Sequence, residues 1–314
     1  MEKIKMTKKD TNLTTEKAFE LFIRKCKVKN LTEKSIVSYR EKLIHFFRFY
    51  GENTDIKNIT SDTVDDFILW LRDNNKCNDI TINSYLRSLR AFLYYCMECN
   101  YIEHFKVKLI KAEKKVKETY TDEELERLLK KPDTDNCSFS EYKTWVFENY
   151  LIGTGNRIST ALDVQIGDIN FADGIITLRK TKNRKQQIIP LSKTLADILQ
   201  EYLEIRGGEN DSPLFCNDYG QPASTRTYQQ LVQRFNIKRN VNKTSCHLFR
   251  HTFAKNWILA GGDMFRLQKI LGHSDLSVTK EYVTMFGTDL QLDFEKFNPL
   301  DRLSGNKNEK IRIS

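Results

Sequence analysis

His247-Leu248-Phe249-Arg250-His251, followed by Leu271-Gly272-His273 and then by Tyr282, is the stretch on which the reading of this chain turns. It holds three of the five histidines, an arginine between two of them, and a tyrosine nine positions after the last. A guanidinium grips phosphate oxygens as a planar fork, imidazoles carry protons near neutral pH, and a phenol can act as a nucleophile. These are the groups that attack on a phosphodiester requires. Apolar residues around them recur at helical spacing, which predicts helices at 247–260, 263–271 and 275–284.

N-terminal to this stretch, the β-branched runs at 165–171, 175–178 and 188–191 are separated by the turn signal Ala172-Asp173-Gly174 and by the basic stretch Arg179 to Gln187. They predict a three-stranded antiparallel sheet with a basic hairpin at its tip. Helical patterns follow at 192–206 and 225–237, and Thr121-Asp122-Glu123-Glu124 reads as a capping box that opens a helix. In the first third, residues 14–28, 32–50, 61–75 and 81–99 predict four helices, with Thr32, Ser61 and Thr81 as N-caps. Between the two parts, Lys106, Lys108, Lys111, Lys114, Lys115 and Lys117 crowd into a segment of little apolar periodicity, read as an interdomain linker. The expected organisation is a helical domain at 1–105, a basic linker at 106–119, a mixed domain at 120–286 and a tail at 287–314.

The 314 residues suffice for two cores. Charge is unevenly spread: residues 1–117 hold 24 Lys and Arg against 16 Asp and Glu, whereas 118–314 hold 27 against 26. A basic first third favours a polyanion, with a solvated basic surface as the alternative. No apolar run is long enough for a bilayer, and Met1-Glu2-Lys3-Ile4-Lys5 leads into no signal sequence, so a cytoplasmic protein without membrane partners is expected. Seven scattered cysteines suggest a reducing compartment. Cys96-Met97-Glu98-Cys99 has no second pair, and no Walker-type loop or carboxylate cluster stands out, so neither metal nor cofactor is expected.

The motifs taken in order resemble the tyrosine recombinase, or phage-integrase-like, family. Gly153-Thr154-Gly155-Asn156-Arg157-Ile158-Ser159 looks like its first arginine motif, and Thr181-Lys182-Asn183-Arg184-Lys185 with Ile188-Ile189-Pro190-Leu191 looks like its β-hairpin lysine motif. Pro213-Leu214-Phe215, with Gly220 and Pro222, resembles the connecting segment. His247-Leu248-Phe249-Arg250 resembles the His-x-x-Arg box, and Leu271-Gly272-His273 and Tyr282 the last two motifs. The fold so implied is mainly α with a small antiparallel sheet: a helical core-binding domain and a mixed α+β catalytic domain that close around DNA.

The resemblance implies a catalytic set of Arg157, Lys182, His247, Arg250, His273 and Tyr282. The arginines would clamp the phosphate, Tyr282 would attack it, His247 would take the phenolic proton, Lys182 would protonate the leaving oxygen and His273 would bond a nonbridging oxygen. Lys180 and Lys185 compete with Lys182 for its assignment, and His251 reads either as structural or as a support for the residues that touch the phosphate. Candidate DNA contacts are Lys27, Lys29, Arg40, Arg87, Arg90, Lys114, Lys115, Arg184 and Lys185.

Two departures from the family pattern stand out. Thr160 replaces an acidic residue, with Asp163 or solvent as its substitute, and Thr284 replaces a histidine. The implied activity is DNA cleavage and rejoining through a 3′-phosphotyrosine, in the integration or excision of a mobile element. Alternatives are a housekeeping dimer-resolution recombinase, a type IB topoisomerase-like enzyme and an inactive DNA-binding accessory protein. The expected partners are double-stranded DNA, accessory directionality factors and three further copies of the chain on two DNA sites. The amphipathic stripe Leu290, Phe294 and Phe297 would dock between copies.

Overall fold

The computed structural model describes residues 13–113, 117–179, 186–273, 275–286 and 298. The chain divides into two compact units, Met1–Lys115 and Val116–Ser314. The first holds helices α1 (Thr15–Val28), α2 (Glu33–Tyr50), α3 (Ser61–Asn75) and α4 (Asp79–Glu98). Each opens on a side chain that accepts a backbone N–H: Thr14, Thr32, Thr60 and Asn78. Thr32 is the cap its sequence predicts, but Ser61 and Thr81 lie inside their helices. Thr60 and Asn78, which adopt extended backbone before the first turn, cap in their place.

Interlocked aromatic rings fill this unit, with Phe46 edge-on to Phe67 at 5.2 Å and Phe19 edge-on to Phe47 at 5.0 Å. The chain after α4 stays on the same core. Val107 is buried, and Asn83 both donates to the Ile110 carbonyl and accepts from its N–H, at 2.9 and 3.0 Å.

The second unit is mostly helical around a small sheet. It contains α5 (Asp122–Leu129), α6 (Phe139–Thr154), α7 (Ile158–Leu162), β1 (Ile169–Asn170), β2 (Ile175–Leu178), β3 (Gln187–Pro190), α8 (Lys193–Arg206), α9 (Thr225–Lys238), α10 (Cys246–Leu259), α11 (Met264–Leu271) and α12 (Leu276–Phe286). The sheet is antiparallel in the order β1-β2-β3, with Ile169 opposite Ile176 and Leu178 opposite Gln187. The capping box is present: Glu124 donates its N–H to Thr121 Oγ1, and its carboxylate accepts the Thr121 N–H. The first strand is shorter than its β-branched run predicts, because Ile166–Asp168 forms a 3₁₀ turn bonded to the 210–212 backbone.

Helix α6 was not expected from spacing. It packs against α5, α8, α9 and α10, so it buries residues all around, from Tyr142 and Trp145 to Phe147, Tyr150 and Leu151. A helix enclosed on every side has no polar stripe to mark its period.

Candidate active site

The local architecture of the site starts from two glycines. Gly155 ends α6 at φ +64°, and a Cβ there would come within 2.6 Å of Phe253 and 2.8 Å of Leu271. Gly272 ends α11 at φ +61°, where a Cβ would meet the Gln187 side chain. Both positions need a left-handed residue without a side chain. Each turn brings a carbonyl to Arg250, which α10 carries into the interior with 4% exposure. Arg250 donates from Nη1 to the Gly155 carbonyl at 2.9 Å and from Nη2 to the Leu271 carbonyl at 2.8 Å. A third donor reaches His273 Nε2 at 2.7 Å. A guanidinium carries no acceptor, so His273 accepts through Nε2, and its Nδ1–H is left to donate to Thr279 Oγ1 at 2.8 Å.

Tyr282 projects from α12. Its ring is 2% exposed among Ala254, Leu267 and Leu271, and lies parallel to the His273 ring at 6.4 Å. Its hydroxyl lies 2.7 Å from His251 Nδ1. Burial raises the phenol above its ordinary pKa, and Arg250 and Arg157 pull it back down. The resemblance implied His247 as acceptor of the phenolic proton, with His251 as a structural or supporting neighbour. The ring that touches the phenol is His251. His247 is one helical turn earlier on α10, is exposed, and has its ring centred 6.1 Å from that of His251.

Burial, reinforced by nearby cations, lowers all three imidazoles: His251 to about 4, His273 to about 3, and His247 by burial, Arg250 and Arg157. At neutral pH they are therefore neutral and able to accept a proton. Arg157 is the N-cap residue of α7 and is half-buried; its charge reaches Tyr282, Arg250, His247 and His273. Its guanidinium meets no carboxylate among the described residues. Arg250 is lowered to about 10 by burial and by the charge of Arg157, and still remains protonated at neutral pH.

Lys182, Arg184, Lys185, Lys114 and Lys115 lie outside the described residues, as do Leu290, Phe294 and Phe297. The residues on either side of 180–185 are described. Arg179 pairs with Asp168 and bonds Gln165, while Gln187 donates to the Lys269 and Ile270 carbonyls. The start of β3 is thereby tied to the end of α11, beside Leu271. Thr284 spends its hydroxyl on the Lys280 carbonyl of its own helix, and Asp163 is exposed at the end of α7. In the first unit, Lys27, Lys29, Arg40 and Arg87 are exposed and Arg90 is half-buried. Arg40 pairs with Glu20 at 3.2 Å. Among the described residues, no group of three or more His, Cys, Asp or Glu could hold a metal, and no helix is long and apolar enough to cross a membrane.

Comparison with known proteins agrees with this layout. The model of the phage integrase family matches residues 118–287, and that of the phage integrase SAM-like domain matches residues 16–117. The chain belongs to the phage integrase family, the tyrosine recombinases. Tyrosine recombinase XerD of Staphylococcus haemolyticus (strain JCSC1435) is 28% identical over 283 residues, covering 86% of this chain and 94% of the relative. XerD of Staphylococcus epidermidis (strain ATCC 12228) is 25% identical over the same shares.

Among solved structures, a lambda integrase tetramer bound to a Holliday junction aligns with a TM-score of 0.71 at 16% identity, over 90% of this chain and 80% of the other. XerH recombinase in a post-cleavage complex with palindromic difH substrate aligns at 0.68 and 21% identity, over 89% and 83%. These two likenesses are of fold.

Proposed function

We propose that this protein is a site-specific recombinase that cuts and rejoins double-stranded DNA through a 3′-phosphotyrosine bond to Tyr282. The observation that carries the reading is the seating of a single phenol, with its hydroxyl 2.7 Å from His251 Nδ1 and next to the anchored guanidinium of Arg250. With a pKa near ~10, about 0.1% of a tyrosine is ionised at pH 7, so a nucleophilic phenol needs a neutral acceptor and nearby positive charge. Both are present.

In the step proposed, a phosphate lies against Arg157 and Arg250, which balance the charge that builds on its nonbridging oxygens. The bond from Tyr282 oxygen to phosphorus forms as the bond from phosphorus to the 5′ oxygen breaks. The phenolic proton passes to His251. The departing 5′ oxygen takes a proton, for which Lys182 is the candidate donor. His247, exposed on the same face of α10, is free to bond a nonbridging oxygen, while His273 holds Arg250. The phosphotyrosine keeps the bond energy, so the 5′-hydroxyl of a second strand reverses the step.

The assembly proposed is a homotetramer on two DNA sites in the cytoplasm, with accessory factors setting direction. The lambda integrase tetramer of like fold supports the oligomer. For the cellular role, the relatives named XerD favour housekeeping recombination over the mobile-element reading.

The test is to incubate the chain with a random-sequence duplex library and recover SDS-resistant adducts. Tyr282→Phe should keep DNA binding and lose the adduct; an adduct of normal yield from that variant refutes the assignment. Fast relaxation of a plasmid lacking the recovered sequence would reassign the protein to the type IB topoisomerases. The recovered sequence separates a chromosomal site from the ends of a mobile element.

A further inference from the structure

We propose that Lys117 is a positioning residue for the nucleophile: its ammonium, seated over the face of the Tyr282 ring, favours the phenolate form that attacks phosphorus. The inference rests on the reading of Tyr282 as nucleophile and adds a residue that no sequence motif of the site includes. Lys117 Nζ lies 4.4 Å from the centroid of the Tyr282 ring, and it is held there by an ion pair with Glu281 Oε2 at 3.0 Å. Both side chains are substantially buried, at 25% and 36% exposure. The negative face of an aromatic ring attracts a cation, and attracts it more once the phenol has lost its proton. The enclosed setting strengthens that attraction.

The sequence places Lys117 at the end of the basic run 106–117, read there as an interdomain linker. The structure gives this lysine a different neighbour. Glu281 adjoins the nucleophile in sequence, and its carboxylate opposes the phenolate. Lys117 offsets that carboxylate and adds a cation against the ring. Among the described residues, titratable and charged groups around the phenol also include Arg157 at the start of α7, His247, Arg250 and His251 on α10, and His273 between α11 and α12. The two arginines act in the same direction as Lys117, while the imidazoles are neutral at the working pH.

The probe is a nicked duplex bearing the sequence recovered in the adduct selection, cleaved by the full chain in single turnover from pH 6 to 9.5. Lys117→Met should slow cleavage about 3- to 10-fold at pH 7 and move the rising limb of the profile about half a unit to one unit alkaline. Lys117→Arg should restore both. An unchanged rate, or a loss of equal size at every pH, overturns the proposal. So does weaker DNA binding with normal cleavage at saturating protein, which would make Lys117 a phosphate contact. If Lys117→Met does not fold, Lys117→Gln carries the same test: the limb should move alkaline, and a fixed limb overturns the proposal. A wild-type chain that forms no adduct rejects the recombinase reading itself, and the role of Lys117 with it.

Discussion

His251 Nδ1 and the Tyr282 hydroxyl face each other across α10 and α12 at 2.7 Å, although 31 positions separate them in sequence. The positive charges of Arg250 and Arg157 favour loss of the phenolic proton, and His251 is the ring in reach of it. Replacing His251 by alanine should therefore slow single-turnover cleavage by about 10²-fold or more, the usual range for a lost general base, with DNA affinity little changed. Equal loss of binding and cleavage would assign His251 to DNA contact instead.

The low pKa values of His251 and His273, about 4 and about 3, have a consequence for stability. In the unfolded chain these rings titrate near 6.5, so between that value and about 4 the unfolded state binds more protons than the native one. The contribution of these two rings should be complete above pH 6.5 and decline as pH falls towards 4. Thermal melts across this window should show the decline, and His251→Gln should flatten it. A pH profile of Tm that His251→Gln leaves unchanged between pH 7 and 4 would contradict the burial of a neutral imidazole at this position.

Gly155→Ala should destabilise the second unit by about 1–3 kcal/mol, since it combines a left-handed backbone with a Cβ against Phe253 and Leu271. It also displaces the carbonyl that holds Arg250, so cleavage should fall by more than the loss of fold accounts for. The check is a denaturant titration alongside adduct formation, both made below the variant's melting temperature. Normal cleavage in a destabilised variant would show that the carbonyl does not position Arg250.

Glu148 on α6 is fully buried, and neither carboxylate oxygen has a hydrogen-bond partner among the described residues. Burial pushes its pKa well up, against a weaker pull from Arg239. The native chain therefore holds a proton that the unfolded chain releases above its ordinary value near 4.5, and stability is lost as pH rises past that value. Glu148→Gln should raise Tm at pH 8 and leave it nearly unchanged at pH 4. A gain of equal size at both values would point to packing rather than ionisation.

Much of the fold is legible in the sequence, because amphipathic helices announce themselves locally. The elements α8, α9, α10 and α11 begin and end within about one residue of the expected 192–206, 225–237, 247–260 and 263–271. Helix α6, enclosed on all sides, gave no such signal. The motif order also marked Arg157, His247, Arg250, His273 and Tyr282 as one group, and the fold brings them near one another.

The sequence by itself determined a mainly helical chain with one small antiparallel sheet, a basic first third, and a set of phosphate-handling groups in a recognisable order. Helical periodicity put His247 and His251 on one face of α10, because residues four apart share a face. Which of the two meets the phenol was decided by how α12 packs on α10, a contact between distant segments that local spacing does not encode. The same holds for the lysine over the Tyr282 ring and for the carbonyls that grip Arg250. Each depends on turns and packing elsewhere in the catalytic unit, so tertiary structure alone determined them.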